Sequence, residues 1–305
     1  MAACYDNTMV LTSSPLLPPE LERTIFEIRA LARPASIPVL MLVAARVKEW
    51  VEPLLYRVVY CVHATPLLPP AQLCGFPIFS AELLLRIIED KPHDFLQRSV
   101  RHLFVENIPP TAVESILRAC NHVTNVFEYF TPTPHPRTLR ALQHLRRLTI
   151  GLPQFLQRFT LDDNAAEVFQ KITHLELMDT YNDATIEDLC VRLRFMQHLT
   201  HVAVNSFSND VLLYNTFRSQ QNLQCIVILI QNPVKTVDTH ALTDDDRFVC
   251  IHQQTSYRVD WLRGADTGED SWALADAFIA ARRAGKVDAS RYIISNTDLD
   301  ESWST

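Results

Sequence analysis

The spacing apolar-x-x-apolar-x-apolar recurs along this chain at intervals of 22 to 27 residues, and that recurrence constrains the fold more than any other feature. The runs begin at Val100 (with Leu103 and Val105), Val123 (with Val126), Leu145 (with Leu148 and Ile150), Ile172 (with Leu175 and Leu177), Leu199 (with Val202 and Val204) and Leu223 (with Ile226 and Ile228). Val249 and Ile251 form a weaker seventh that is expected to keep the phase. A unit this short cannot bury an apolar face alone, so its neighbours must stack into one continuous core. The expected body is an α/β solenoid, each unit supplying one strand and one helical or irregular return segment.

These runs resemble a leucine-rich-repeat array in degenerate form, which implies an irregular horseshoe with a parallel sheet. Where that repeat carries asparagine after its third apolar position, this chain has Ile108, Thr131, Pro153, Thr180, Phe207 and Gln231. The buried asparagine ladder is therefore gone, and the backbone of each turn must be satisfied in another way.

Alternation along each strand turns the apolar triplet inward and the intervening residues to the opposite, concave face. Three columns result: His102, Asn125, Arg147, His174, His201 and Cys225; then Phe104, Phe127, Thr149, Glu176, Ala203 and Val227; then Glu106, Tyr129, Gly151, Met178, Asn205 and Leu229. Solenoids bind through this face, so a protein partner is expected on His102, Phe104, Phe127, Tyr129, Arg147, His174, Glu176, His201 and Asn205. His174 and His201 are neighbours in a column whose strands lie ~4.8 Å apart. No Asp, Glu or Cys at ligand spacing joins them, and Arg147 repels a cation, so histidines in contact with solvent or a partner are expected rather than a metal site.

Toward the C-terminus the columns turn apolar, and the run Cys225 to Ile230 reads as a strand covered on both faces. Asp270 and Ser271 are suited to cap a helix over Trp272 to Ala284, with Leu274, Phe278 and Ala281 on one side, Arg282 and Arg283 at its end, and Gly285 as its stop. That helix is expected to cap the last strands, with Trp261 and Trp272 in the core of the cap. Residues 296–305 read as a polar, frayed tail.

The first sixty residues differ in texture. Pro18, Pro19 and Glu20 open a helix that carries Leu21, Ile25 and Ile28 on one face, and a second helix is expected from Val39 to Trp50, ended by Pro53. Leu17-Pro18-Pro19-Glu20-Leu21, Ile25-Phe26, Leu42-Val43 with Arg46 and Trp50, and Glu52-Pro53-Leu54-Leu55-Tyr56-Arg57-Val58-Val59 resemble an F-box of the form found in fungal F-box-like proteins. The phrase from Val259 to Trp272 is similar to the ending of many such proteins. The resemblance implies a small all-α module at 1–60 that docks on the Skp adaptor of cullin ubiquitin ligases through Leu17, Pro18, Leu21, Ile25, Phe26, Leu42, Val43 and Trp50. A Pro-rich connector and first helix at 61–98, degenerate repeats at 99–255 and a cap with an acidic tail at 256–305 complete the expected layout.

The residues point away from several functions. The chain of 305 residues carries a net charge of -7, and 13 acidic against 7 basic residues from position 236 onward leave a net -6 there. This disfavours nucleic acid as a partner. The uncharged stretch from Val58 to Ala81 contains Pro66, Pro69, Pro70 and Pro77, which disfavours a membrane helix. No secretory signal opens the chain, and the seven cysteines are read as buried thiols in a reducing compartment, cytoplasmic or nuclear. Five glycines cannot assemble a phosphate loop or dinucleotide fingerprint, so neither an enzyme nor a cofactor is expected. Two readings remain: a substrate receptor joining a target protein to the adaptor, or a scaffold whose N-terminal helices only cap the repeats. They differ in whether the Leu17 to Phe26 face is exposed.

Overall fold

The computed structural model describes residues 17–63, 76–129, 138, 141–158, 169–178, 186–205, 211–230 and 242–297. Cys4, Leu16, Pro66, Pro69, Pro70, Cys74, Thr131, Thr180, Phe207 and Gln231 lie outside them, as do residues 298–305. The chain divides into two compact units, Met1–Leu55 and Tyr56–Thr305. The boundary falls before position 60 because Val58 already belongs to a strand of the second unit.

In the first unit, α1 (Pro19–Ala32) starts at Pro18, whose carbonyl accepts the amides of Leu21 and Glu22, while Glu20 and Glu22 sit at the positive end of the helix dipole. The second helix is not the continuous Val39–Trp50 segment expected. A short α2 (Ile37–Leu40) and a turn precede α3 (Ala45–Leu55), which runs on through Pro53. No glycine or proline lies within 41–44 to mark this break. It is set by packing: Ala30, Ile37, Val47 and Val51 bury together, which requires Ile37 and Val47 on separate helices. Arg46 of α3 is held to Glu22 of α1 by two hydrogen bonds of 3.0 and 2.8 Å.

The second unit is built on one ten-stranded parallel sheet. Its strands are β1 (Val58–Val62), β2 (Ile78–Ser80), β3 (His102–Glu106), β4 (Asn125–Tyr129), β5 (Arg147–Gly151), β6 (His174–Met178), β7 (His201–Val204), β8 (Cys225–Ile230), β9 (Phe248–His252) and β10 (Ile293–Ser295). From β3 to β10 each strand adds beside its predecessor, as the repeat requires, whereas β2 lies on the outer side of β1. The sheet thus holds three strands the repeat did not announce: β1 across the end of the expected helical module and the start of the connector, β2 within that connector, and β10 within the expected C-terminal cap, just before the expected frayed tail. Asn296 holds that last strand down, its amide on the His252 carbonyl and its side chain on Thr255.

The repeat triplets are buried on one face of the sheet. The return segments are helices: α4 (Ala81–Asp90), α5 (Phe95–Ser99), α6 (Pro110–Ala119), α7 (Leu152–Arg158), α8 (Ile186–Leu193) and α9 (Val211–Ser219). They turn Leu84, Val113, Ile116, Leu117, Phe155, Leu189, Leu193, Leu213 and Phe217 into the core. Removing any of the larger of these side chains would forfeit about 3–5 kcal/mol.

At the start of each strand a ladder of carbonyls joins neighbouring repeats, at the opposite strand end from the positions where asparagine is missing. The carbonyl of the residue before each strand accepts two amides from the next repeat. Arg101 O receives the amides of Thr124 and Asn125; Thr124 O receives Arg146 and Arg147; Arg146 O receives Thr173 and His174; Thr173 O receives Thr200 and His201; Thr200 O receives Gln224 and Cys225. Threonine hydroxyls reinforce it, with Thr124 Oγ1 on Arg101 O (3.1 Å), Thr173 Oγ1 on Arg146 O (3.2 Å) and Thr200 Oγ1 on Thr173 O (3.1 Å). The backbone polar groups at these strand starts are thereby satisfied.

The pairing register reproduces the first two columns, from His102 to Cys225 and from Phe104 to Val227. The seventh repeat departs. Ile226 pairs with Phe248 and Val227 with Val249, so Val249 and Ile251 lie on the column face and not with the repeat triplets. A one-residue slip exchanges the two faces of a strand. Here both faces are apolar, since Phe248 and Cys250 are buried as well.

Two helices close the column face. α10 (Tyr257–Thr267) packs on β1, β3 and β4, placing Trp261, Leu262 and Ala265 against Val58, Tyr60, Phe104 and Phe127. α11 (Ser271–Arg283) packs on β8 and β9, placing Ala275, Phe278, Ile279 and Ala281 against Cys225, Val227, Leu229, Val249 and Ile251. The second unit is therefore a three-layer α/β/α arrangement, which accounts for the all-apolar runs of β1 and β8. The caps of α11 agree with the sequence: Asp270 accepts the Ala273 amide, and Gly285, at φ 72°, lets Lys286 N–H reach Ala281 O and its own N–H reach Arg282 O.

Candidate functional site

On the helical module, Leu21, Ile25 and Ile28 recur at helical spacing along α1 and point to solvent, with 54%, 54% and 62% of their surface exposed. Leu17, Pro18 and Val43 are exposed too, and Leu42 is the most exposed of the group at 85%. Six of the eight residues expected to bind an adaptor thus lie at the surface. Phe26 and Trp50 do not: both pack onto the Ala30, Ile37, Val47 and Val51 core, where their rings fill space between α1 and α3. Leaving this much apolar surface to water on a unit of fifty-odd residues is costly, and such a patch marks an interaction surface.

The column face is different from the open binding face expected of it. Phe104 and Phe127 are buried, stacked at 4.2 Å under the edge of Trp261. Tyr129 leans on Tyr257, and His102 meets Trp261 edge-on. His174 and His201 stack at 4.0 Å, with Trp272 edge-on to both. Arg147 reaches Asp270 at 3.0 Å, Glu176 accepts from Thr149 at 3.1 Å, and the Asn205 amide continues the sheet to Leu177 O. Eight of the nine residues expected to meet a partner thus lie on a face that the chain covers itself, and Asn205 stands at its edge, joined to the sheet by its backbone. The reason is apolar burial: aromatic residues at one end of the columns and aliphatic residues at the other leave a surface that α10 and α11 remove from water.

Between the two apolar ends, the helices trap a polar cluster of Arg147, Thr149, His174, Glu176, Asp260 and Asp270, walled by Trp261 and Trp272. Burial dominates its electrostatics. It pushes Glu176 up to about 8, helped by the neighbouring Asp260 charge, and Asp260 up to about 6. It pulls His174 down to about 3 and His102 down to about 4, with nearby cations adding to the effect. Acids near neutrality beside a neutral imidazole could move protons, but the cavity amounts to about 20 Å³, which admits a water molecule and no organic substrate.

A second polar element secures α10. Glu106 is buried and bonded to Arg258, through Nε at 2.9 Å and through Nη2, and accepts the Tyr60 hydroxyl at 2.7 Å. Arg57 reaches Asp266 at 3.0 Å, and Trp261 Nε1 donates to Asn125. Sequence reasoning missed Tyr257, Arg258 and Asp260. Their signal was the helical spacing of Tyr257, Asp260, Trp261 and Gly264, which places one side of the segment on the sheet.

The thiols of Cys61, Cys120, Cys190, Cys225 and Cys250 are buried, and burial pushes those of Cys61, Cys120 and Cys250 up to about 12. Among the described residues no helix is long and apolar enough to cross a membrane. Compared with known proteins, the chain matches no family model and no curated protein.

Proposed function

We propose that the chain is a non-enzymatic substrate receptor that joins a target protein to the Skp adaptor of a cullin ubiquitin ligase, its first unit being an F-box and its second a degenerate leucine-rich-repeat array. One observation carries this reading. The face of α1 formed by Leu17, Leu21, Ile25 and Ile28 is exposed on the module, together with Leu42 and Val43, an apolar surface that a docked adaptor would remove from water. The separate packing of residues 17–55 around Ala30, Ile37, Val47 and Val51 supports it further. Because the column face is already occupied, the target is held by other surfaces of the second unit.

The test is co-expression of the full chain with an Skp adaptor, followed by size-exclusion chromatography. A one-to-one complex is expected, and a Pro18→Ala/Leu21→Asp variant should lose it while keeping its helical content, since both side chains are exposed. A chain that elutes apart from the adaptor, or a variant that binds as well as the parent, would refute adaptor recruitment.

A further inference from the structure

His201 begins β7 and Cys225 begins β8, and the two are directly paired across the sheet. From above, α11 brings Asp276 to the same point. The His201 Nε2 lies 3.1 and 3.2 Å from the two carboxylate oxygens, and one ligand atom from each of the three residues falls within 4.8 Å of the others. The sequence could not announce this cluster, because His201 and Cys225 are column neighbours but Asp276 arrives from a helix fifty residues further on.

The hydrogen bonds around His201 orient its ring. Thr200 Oγ1 lies 3.1 Å from Thr173 O and 2.7 Å from His201 Nδ1. A hydroxyl has one hydrogen, and the carbonyl can only accept. Both contacts are satisfied together when Thr200 donates to Thr173 O and accepts from Nδ1–H. Nε2 is then the atom left to face the carboxylate, and in the neutral ring it presents a lone pair to an anion. Such a contact is repulsive unless a cation lies there, either a second proton on the ring or a metal ion. A metal-binding histidine is held in just this way, its remote nitrogen donating to a second group that fixes tautomer and ring plane.

We propose that His201 Nε2, Cys225 Sγ and the Asp276 carboxylate form a site for a divalent transition-metal ion, with zinc the metal whose nitrogen, sulfur and oxygen preferences match the set. One thiolate and one carboxylate offset the charge of the dication, and the imidazole is neutral. The Asp276 side chain is 53% exposed, so water can complete a tetrahedral shell from that side. Bonds of about 2.3 Å to sulfur and about 2.0–2.2 Å to nitrogen and oxygen place ligand atoms roughly 3.3–3.7 Å apart. The nitrogen–oxygen pair is already near this spacing, and rotation of the exposed Asp276 carboxylate brings in the rest.

The surroundings suit an ion held between the sheet and the helix. The Cys225 side chain is fully buried between the sheet and α11, and a metal ion bound to its sulfur takes the place of the thiol proton. The nearby cations are engaged elsewhere, Arg283 with Asp246 at 2.8 Å and Arg147 with Asp270 at 3.0 Å. His174 stacks on His201 and fixes the plane of its ring. An ion here ties α11 to β7 and β8, clamping the C-terminal layer to the sheet.

The test is titration of the full chain, freed of any affinity tag, with Co(II) and then Zn(II). The expected result is a thiolate-to-cobalt charge-transfer band with the visible bands of a tetrahedral site, saturating at one equivalent and displaced by Zn(II). Cys225→Ser should abolish the charge-transfer band. Asp276→Asn, at an exposed position that keeps every cysteine, should unfold like the parent without metal yet bind more weakly than the roughly 10–100-fold loss caused by removing a merely supporting group. Absence of these bands in the parent, or equal binding by Asp276→Asn, would overturn the site and leave an imidazolium–carboxylate ion pair in its place.

Discussion

Replacing Glu176 by Gln isolates the cost of holding an ionisable group inside the column face. Glu176 accepts from the Thr149 hydroxyl, faces the carboxylates of Asp260 and Asp270, and has Arg147 and His174 nearby, but Arg147 is committed to Asp270. Burial lifts its carboxyl from 4.5 to about 8. An acid whose folded value is raised is a group the unfolded chain ionises first, so the stability it contributes is complete below pH 4.5 and is lost as pH rises toward 8. At about 1.36 kcal/mol for each tenfold step, the ceiling on that loss is about 5 kcal/mol. The side chain is only half-buried by its exposed area and the cavity beside it admits water, so about 2–3 kcal/mol is the figure to expect. Gln keeps the shape and the bond from Thr149 but cannot ionise.

Urea unfolding followed by the fluorescence of Trp261 and Trp272, which flank the site, provides the assay. At pH 9 the Glu176→Gln variant should unfold at roughly 1 M higher urea than the parent, taking a slope of about 3 kcal/mol/M for a unit of this size. At pH 4.5 the two curves should superimpose. Equal differences at the two pH values, or a less stable variant at pH 9, would refute the account of Glu176 as a neutral buried acid. Asp260, lifted to about 6 by the same burial, should leave a smaller slope in the variant between pH 4 and 6.

Other perturbations probe how the C-terminal helices are held. A methyl group at Gly264 would sit 2.5 Å from Asp270 Oδ2 and 2.6 Å from its Cβ, and Asp270 cannot retreat without losing Arg147 and the cap of α11. Gly264→Ala should therefore cost about 1–3 kcal/mol and lower the calorimetric midpoint by several degrees; an unchanged midpoint would contradict the close approach. Glu106→Gln leaves the Arg258 guanidinium buried without its anion and should cost about 3–5 kcal/mol in urea unfolding, whereas Glu106→Gln with Arg258→Met should recover most of it.

The repeat period, the strand positions from β3 to β8, the first two columns and the caps of α11 were legible in the residues, because each depends on spacing within one short segment or on the two-residue alternation of a strand. The same alternation misled at Val249 and Ile251. Both faces of β9 are apolar, so the pattern carries no sign of which face is which, and only pairing with β8 decides it. β1 is buried on both faces and so shows no alternation to read, and β2, three residues long, is too short to carry a pattern beside the prolines before it.

What tertiary structure alone decided is the fate of the column face. The residues along it look like a binding surface when each strand is read by itself, and become an interior once α10 and α11 fold back over the sheet. The same return brings Asp270 to Arg147, Arg258 to Glu106 and Asp276 to His201, pairs separated by 75 to 152 positions. Periodicity is a local property set by backbone geometry, and it survives in the sequence. Which distant segment covers an apolar face is decided by burial, which is non-directional and proportional to area, and so leaves no spacing for a reader of the sequence to find.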